Sequence, residues 1–182
     1  MEIVTADGEL RRIDHDTETD LFWAVRGGGG NYGVVTALEF ELFPAPEIHA
    51  GALFFPFERA PEVMHAWHEL VSAGLPQEIT TIARVYQFPP LPILPEFLRG
   101  KSFTVVQAAC LGNERDGADL IRPLTELGPD MSTFGMVEPA ALGHLGMDPE
   151  DPLPAASASR VVSNASHATI DAFLDSAGPG SP

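Results

Sequence analysis

Three groups of residues in this chain could do chemistry. The first is a run of glycines, Gly27, Gly28, Gly29 and Gly30, followed closely by Asn31 and Gly33. Four consecutive glycines carry a large entropic cost, so a structure that keeps them needs their φ freedom or their missing Cβ. A turn of that kind can bare its backbone N–H groups to a ligand. A helix C-cap leading tightly into a buried strand would use the same glycines and need no ligand. The second group is Arg84, Tyr86 and Gln107, polar side chains set in two apolar runs. They could orient a polar substrate, or equally satisfy one another and water at a sheet edge. The third is His65 and His68, a spacing that can share a metal ion on one helix.

Context removes part of this. Gly28, Gly30 and Gly33 satisfy G-x-G-x-x-G, but that fingerprint needs a strand before it and a helix after it. Here a helix comes first and a strand second. On a helical wheel His65 and His68 point away from Val63, Trp67, Leu70 and Val71 and share the outer side with Glu62 and Glu69, which reads as a solvated polar face. His15, His49, His144 and His167 have no partner at a useful spacing. Asp148, Glu150 and Asp151 are broken up by prolines and read as loop. There is no Ser-His-Asp arrangement, nucleophile elbow or phosphate loop. No catalytic residue and no metal ligand is assigned.

The elements that must position these residues follow from periodicity and turn chemistry. Residues 3–5 and 10–13 read as a hairpin around Asp7-Gly8. Residues 20–26 read as a helix capped by Thr19 or Asp20, and 34–42 as a strand rich in β-branched residues. Pro44 and Pro46 mark a boundary. Beyond it come a strand at 51–56, a helix at 59–73, and strands at 80–88 and 103–111 joined by a proline-rich loop. A helix opened by Asn113 or Asp116 is expected to be interrupted near Pro123 and to end at Gly128-Pro129. A short strand at 133–137, a helical turn at 140–147 and a loop at 147–152 follow. The last helix, 167–177, is capped by Asn164 or Ser166. Strand alternation puts Ile82, Arg84, Tyr86 and Phe88 on one face. The order implies an α+β fold, an antiparallel sheet with helices on one face.

Composition bounds the rest. The 182 residues hold one domain, or one and part of another, and 45% of them are hydrophobic, enough for a sizeable core. A net charge of −16, from 26 acidic and 10 basic groups, repels phosphate backbones and anionic lipid. Nucleic-acid and membrane partners are therefore not expected. One cysteine, Cys110, excludes an internal disulfide framework and reads as a buried thiol. No stretch reads as a membrane span or signal peptide, so the expected location is cytoplasmic.

Residues 20–44 carry a resemblance. Phe22-Trp23 before Arg26, then the glycines, then Asn31-Tyr32-Gly33-Val34-Val35-Thr36, are similar to the segment that closes the FAD-binding domain of the berberine-bridge-enzyme-like oxidases, which have a PCMH-type flavin domain. A weaker likeness continues through Leu111-Gly112, Met147-Asp148-Pro149 and the final helix. The resemblance implies that 1–46 is the C-terminal part of a flavin domain. Gly27, Gly28, Gly29, Gly30, Gly33, Val34 and Val35 would then pass main chain along FAD, with Asn31 locking the turn. It implies that 47–182 is part of a substrate domain whose open sheet face covers the flavin, with Arg84, Tyr86 and Gln107 toward a small-molecule substrate.

The implied reaction takes hydride from a C–H bond of an alcohol, sugar or amine to the flavin and then to O2, and the protein supplies binding and orientation. The family also has a histidine-bearing glycine-rich loop before this region and a tyrosine-rich strand after it, and these 182 residues hold neither. The expectation is a central fragment, inactive and unable to hold FAD alone, with exposed apolar faces open to self-association. The alternative is a non-enzymatic binding or assembly domain derived from the substrate domain. Such a domain should carry polar replacements on its orphaned faces, whereas Ile3, Val4, Val34 and Val35 are apolar.

Overall fold

A computed structural model describes residues 1–147, 156–162 and 165–179. It divides into two compact units, Met1–Pro44 and Ala45–Pro182; the boundary expected from the prolines lay at 46/47. The acidic residues Asp148, Glu150 and Asp151 and the candidate cap Asn164 lie outside the described residues.

The first unit is a three-stranded antiparallel sheet in the order β2-β1-β3, with β1 Glu2–Val4, β2 Leu10–Arg12 and β3 Val34–Ala37. Ile3 and Ile13 are fully buried. Gly8, at φ 81, makes the hairpin turn that Asp-Gly signals. The third strand stops at Ala37, five residues short of the expected end. Among the described residues its one partner, β1, is three residues long, and the ladder stops with it. Leu38, Phe40 and Leu42 are exposed instead. The helix α1, Thr19–Val25, begins one residue earlier than expected, and neither Thr19 nor Asp20 caps it. The cap position is Glu18 in the left-handed region, with no side-chain cap bond.

The second unit is a five-stranded antiparallel sheet, β5-β6-β4-β7, with β8 also pairing β4. Its strands are β4 Ile48–Pro56, β5 Ile79–Gln87, β6 Ser102–Cys110, β7 Met131–Ser132 and β8 Gly135–Val137. The short strand expected at 133–137 is thus two pieces, both laid along β4. Between them Phe134 backbone packs on Gly51, where a Cβ would stand 2.5 Å from the Phe134 nitrogen. β4 is buried from Ile48 to Phe55, which explains why it reads as a continuous apolar run and not an alternating one.

Helices α2 Ala60–Ser72, α3 Glu114–Thr125 and α5 His167–Ala177 cover one face of this sheet. Val63 of α2 and Leu124 of α3 pack with Leu53, Phe55 and Val106, while Ile170 and Leu174 of α5 pack with Ala60 and Met64. Asn113 caps α3 by accepting from the Asp116 N–H at 2.9 Å, and Ser166 caps α5 through the Thr169 N–H. The interruption expected at Pro123 does not occur. Proline removes one N–H in the last turn, but buried Ile121 and Leu124 hold that turn in the core. Among the described residues the other sheet face carries no long helix, and the candidate polar residues stand on it.

Candidate functional site

In the first unit the glycine turn joins α1 to β3. Gly27, Gly29 and Gly33 adopt positive φ values of 131, 63 and 146, which β-carbon sterics disfavour. Gly28 N–H donates to the Ala24 carbonyl at 2.9 Å, and residues Gly29–Tyr32 form one 3-10 turn. Asn31 Nδ2 donates to the Gly28 carbonyl at 2.9 Å, which ties the turn across its mouth. An added Cβ at Gly28 would collide with the Tyr32 ring, whereas at Gly27, Gly29 and Gly30 nothing lies within 4 Å. The turn is therefore tight on its inner side and open on its outer side. At Gly27, Gly29 and Gly30 an extended cofactor could pass close along the main chain. Val34 and Val35 follow, both exposed.

In the second unit the register of the sheet assembles the other candidates. Gln107 on β6 stands between Ala52 and Ile82; Val105 stands between Phe54 and Arg84; Phe103 stands between Pro56 and Tyr86. Directly opposed residues share a face, so Arg84, Tyr86 and Gln107 lie together on the helix-free side. Arg84 Nη1 donates to the Tyr86 hydroxyl at 3.0 Å and to the Gly146 carbonyl at 3.4 Å. The Tyr86 hydroxyl donates to that carbonyl at 2.9 Å, and Gln107 Nε2 donates to the Leu145 carbonyl. Of the two uses left open for these polar tips, the described geometry shows mutual satisfaction, with two main-chain carbonyls as acceptors. Phe88 stacks on Tyr86 at 5.4 Å, and Phe103 meets both Phe88 and Phe54 edge-on, so one end of the face is aromatic.

The segment that supplies those carbonyls crosses the face as the 3-10 turn Pro139–Ala141 and the single-turn helix α4, Leu142–Leu145. A cavity of about 260 Å³ opens on one side, lined by Ala50, Ala52, Phe54, Val137, His144 and Met147 among others. Another, of about 380 Å³, opens on the other side, bounded by Thr80, Ile82, Arg84, Gln107 and Ala109. Leu142 and Leu145 line both. The first is apolar with one titratable side chain, His144; the second has a guanidinium and an amide at its wall.

The histidines are arranged differently from the sequence expectation. His65 and His68 are half-buried, not solvated, because the start of α5 lies over them. His167, which had no partner by spacing, stacks on His65 at 4.2 Å and meets His68 edge-on at 5.4 Å. His65 Nε2 also pairs with Asp171 at 2.8 Å. Packing of α5 on α2 creates this group, and no local spacing signals it. Among the described residues no set of three or more ligand-type side chains could hold a metal ion. Cys110 is buried, and burial pushes its thiol pKa up, which keeps it unreactive.

The fold of the chain matches part of solved oxidase structures. The xylooligosaccharide oxidase from Myceliophthora thermophila, solved in complex with xylobiose, superposes with a TM-score of 0.57 at 24% identity, over 82% of this chain and 30% of that one. Among curated proteins, the FAD-linked oxidoreductase aurO of Gibberella zeae is 34% identical over 77 residues, 42% of this chain and 15% of its own length. An FAD-linked oxidoreductase of Dictyostelium discoideum is 26% identical over 137 residues, 74% of this chain and 27% of its own length. No family model matches the chain. The chain is homologous to the FAD-linked oxidoreductases, and it spans about a quarter or less of the length of these two relatives.

Proposed function

We propose that this chain is the section of an FAD-linked oxidoreductase that carries one main-chain contact to the cofactor and a substrate-facing sheet. The observation that carries the proposal is the gathering of Arg84, Tyr86 and Gln107 on the face of the antiparallel sheet that no long helix covers. The division at Pro44/Ala45 supports assigning the first unit to the end of a flavin domain and the second to part of a substrate domain.

In the first unit the outer side of Gly27, Gly29 and Gly30, followed by Gly33, Val34 and Val35, would run along the cofactor, with Asn31 fixing the turn. FAD would supply the two-electron acceptor, to be reoxidised by O2. In the second unit Arg84, Tyr86 and Gln107 would orient the hydroxyls of a sugar or related alcohol, and the aromatic end of the face would receive its apolar surface. The xylobiose complex of the structural relative supports a small sugar as the substrate class. The 182 residues alone would neither retain FAD nor turn over. Exposed Val34, Leu38, Phe40 and Leu42 would let the isolated chain self-associate, which sedimentation over a range of concentrations reads directly.

The test is peroxide release by the intact protein that contains this section, supplied with FAD and oligosaccharides. Sugar-dependent peroxide is the expected result. Absence of peroxide with sugars, alcohols and amines alike contradicts the proposal.

A further inference from the structure

We propose that residues 139–147 are a displaceable strap over the helix-free face, which a ligand opens by taking over the hydrogen bonds of Arg84, Tyr86 and Gln107. This rests on the reading of that face as a small-molecule site.

The strap has little stability of its own. It consists of one 3-10 turn and one four-residue helical turn, and isolated turns of that length do not persist in water. Residues 138–144 are exposed and 145–147 only half-buried. Two things hold it down. Leu145 and Met147 pack on the cluster of Ala52, Phe54 and Val105, and the three donors of the sheet bind the carbonyls of Leu145 and Gly146.

All three bonds run in one direction: the sheet donates and the strap accepts. The acceptors are neighbouring oxygen atoms, which a polyhydroxylated molecule with adjacent oxygens can imitate. Exchanging one set of acceptors for another costs far less than leaving the donors bare, since an unmade buried hydrogen bond is what is expensive. The ligand class follows: a small neutral polyol or sugar presenting two or more adjacent oxygens, with an apolar edge to replace Leu145.

The backbone is suited to movement at the latched end. Met147 sits in the left-handed region at φ 54, a conformation costing about 1 kcal/mol for a residue with a Cβ. Gly143 and Gly146 lie inside the strap, and a Cβ at Gly143 would meet nothing within 4 Å. Because Leu142 and Leu145 are walls of both cavities, lifting the strap would merge the two into one trough across β4, β6 and β5, from Phe54 to Ile82.

The test is thiol trapping on the full 182-residue chain. Ala52 is 3% exposed on the strapped face and borders the cavity, so Ala52→Cys places a thiol that a disulfide reagent reaches when the strap lifts. Native Cys110 is 1% exposed among the residues that pack under α3 and reports opening of the whole domain. The introduced thiol should react at least about tenfold faster than Cys110, and Tyr86→Phe in the same background should add about another tenfold, the weight of one hydrogen bond. Reaction of both thiols at one pace, unchanged by Tyr86→Phe, overturns the strap.

If Ala52→Cys does not fold, amide exchange of 142–147 against that of β6 in the unaltered chain makes the same comparison. Xylobiose separates the two claims. Fast trapping with no xylobiose-induced change at the Tyr86 ring resonances keeps a mobile strap but overturns its displacement by a ligand and the site reading with it. Xylobiose binding with the introduced thiol at the pace of Cys110 keeps the site and overturns the strap.

Discussion

Gly33 lies with its α-carbon against the carbonyl oxygen of Val4. A Cβ on Gly33 would fall closer to that oxygen than real Cβ atoms approach, and 3.0 Å from Ile3 Cγ1. The contact sets β3 beside β1, and φ 146 at Gly33 is itself unfavourable for any other residue. Gly33→Ala should therefore cost the first unit about 2–4 kcal/mol, from backbone strain and overpacking together. Faster amide exchange at Ile3 is the readout. Gly30→Ala, at a position with open space and ordinary φ, should change stability by no more than about 0.5 kcal/mol.

Gly117 does the corresponding job in the second unit. A Cβ there would stand 2.5 Å from His49 Nδ1 and 2.8 Å from His49 Cγ, and His49 is buried beneath α3 against Phe134. In a solvent-exposed helix interior, Gly→Ala is stabilising by up to about 1 kcal/mol. Here overpacking should reverse the sign and cost about 1–3 kcal/mol. Chemical denaturation of Gly117→Ala gives the direction; a higher midpoint than the parent would show that α3 does not press on β4 as described.

The hairpin should respond to acid. The Thr5 hydroxyl, the Glu9 N–H and the Arg11 guanidinium all donate to the Asp7 carboxylate, which lowers its pKa from 3.8 to about 2. A carboxylate whose folded pKa is depressed stabilises the fold above its unfolded pKa and loses that contribution as pH falls through the folded one. Protection of the β1 and β2 amides should thus decline between about pH 4 and pH 2, with part of the decline abolished in Asp7→Asn. The carboxylate is half-exposed to solvent, so added salt should blunt the effect.

Arg59 ties α2 to the end of α3. Its guanidinium donates to the carbonyls of Leu127 at 2.8 Å and Gly128 at 3.0 Å, and to both carboxylate oxygens of Glu62. Arg59→Gln should lower the thermal midpoint of the second unit more than Glu62→Gln does. The arginine change leaves two main-chain carbonyls short of a donor, whereas the Glu62 change removes only an exposed ion pair. Equal midpoints for the two variants would contradict this ranking.

How much was legible in the sequence follows from where each signal is local. The strands β5 and β6 and the helices α2 and α5 declare themselves by alternation, period and caps, so the shared face of Arg84 and Tyr86 could be read directly. What those side chains hold could not. The carbonyls of Leu145 and Gly146 arrive from a segment whose path depends on β8 pairing β4. The histidine group was missed for the same reason, since His167 meets His65 only through helix packing. The strand at 34–42 was overcalled because its pattern is sound while its partner strand is short. Pro123 was overcalled as a break because burial of Ile121 and Leu124 outweighs one lost hydrogen bond.

The central claim, that this chain is a working section of an FAD-linked oxidoreductase, is tested most directly by the coding sequence on both sides of it at its locus. A glycine-rich segment with a flavin-anchoring histidine is expected upstream and a tyrosine-rich strand downstream, in frame or displaced by a frameshift. Flanking sequence that carries neither would leave homology without the activity.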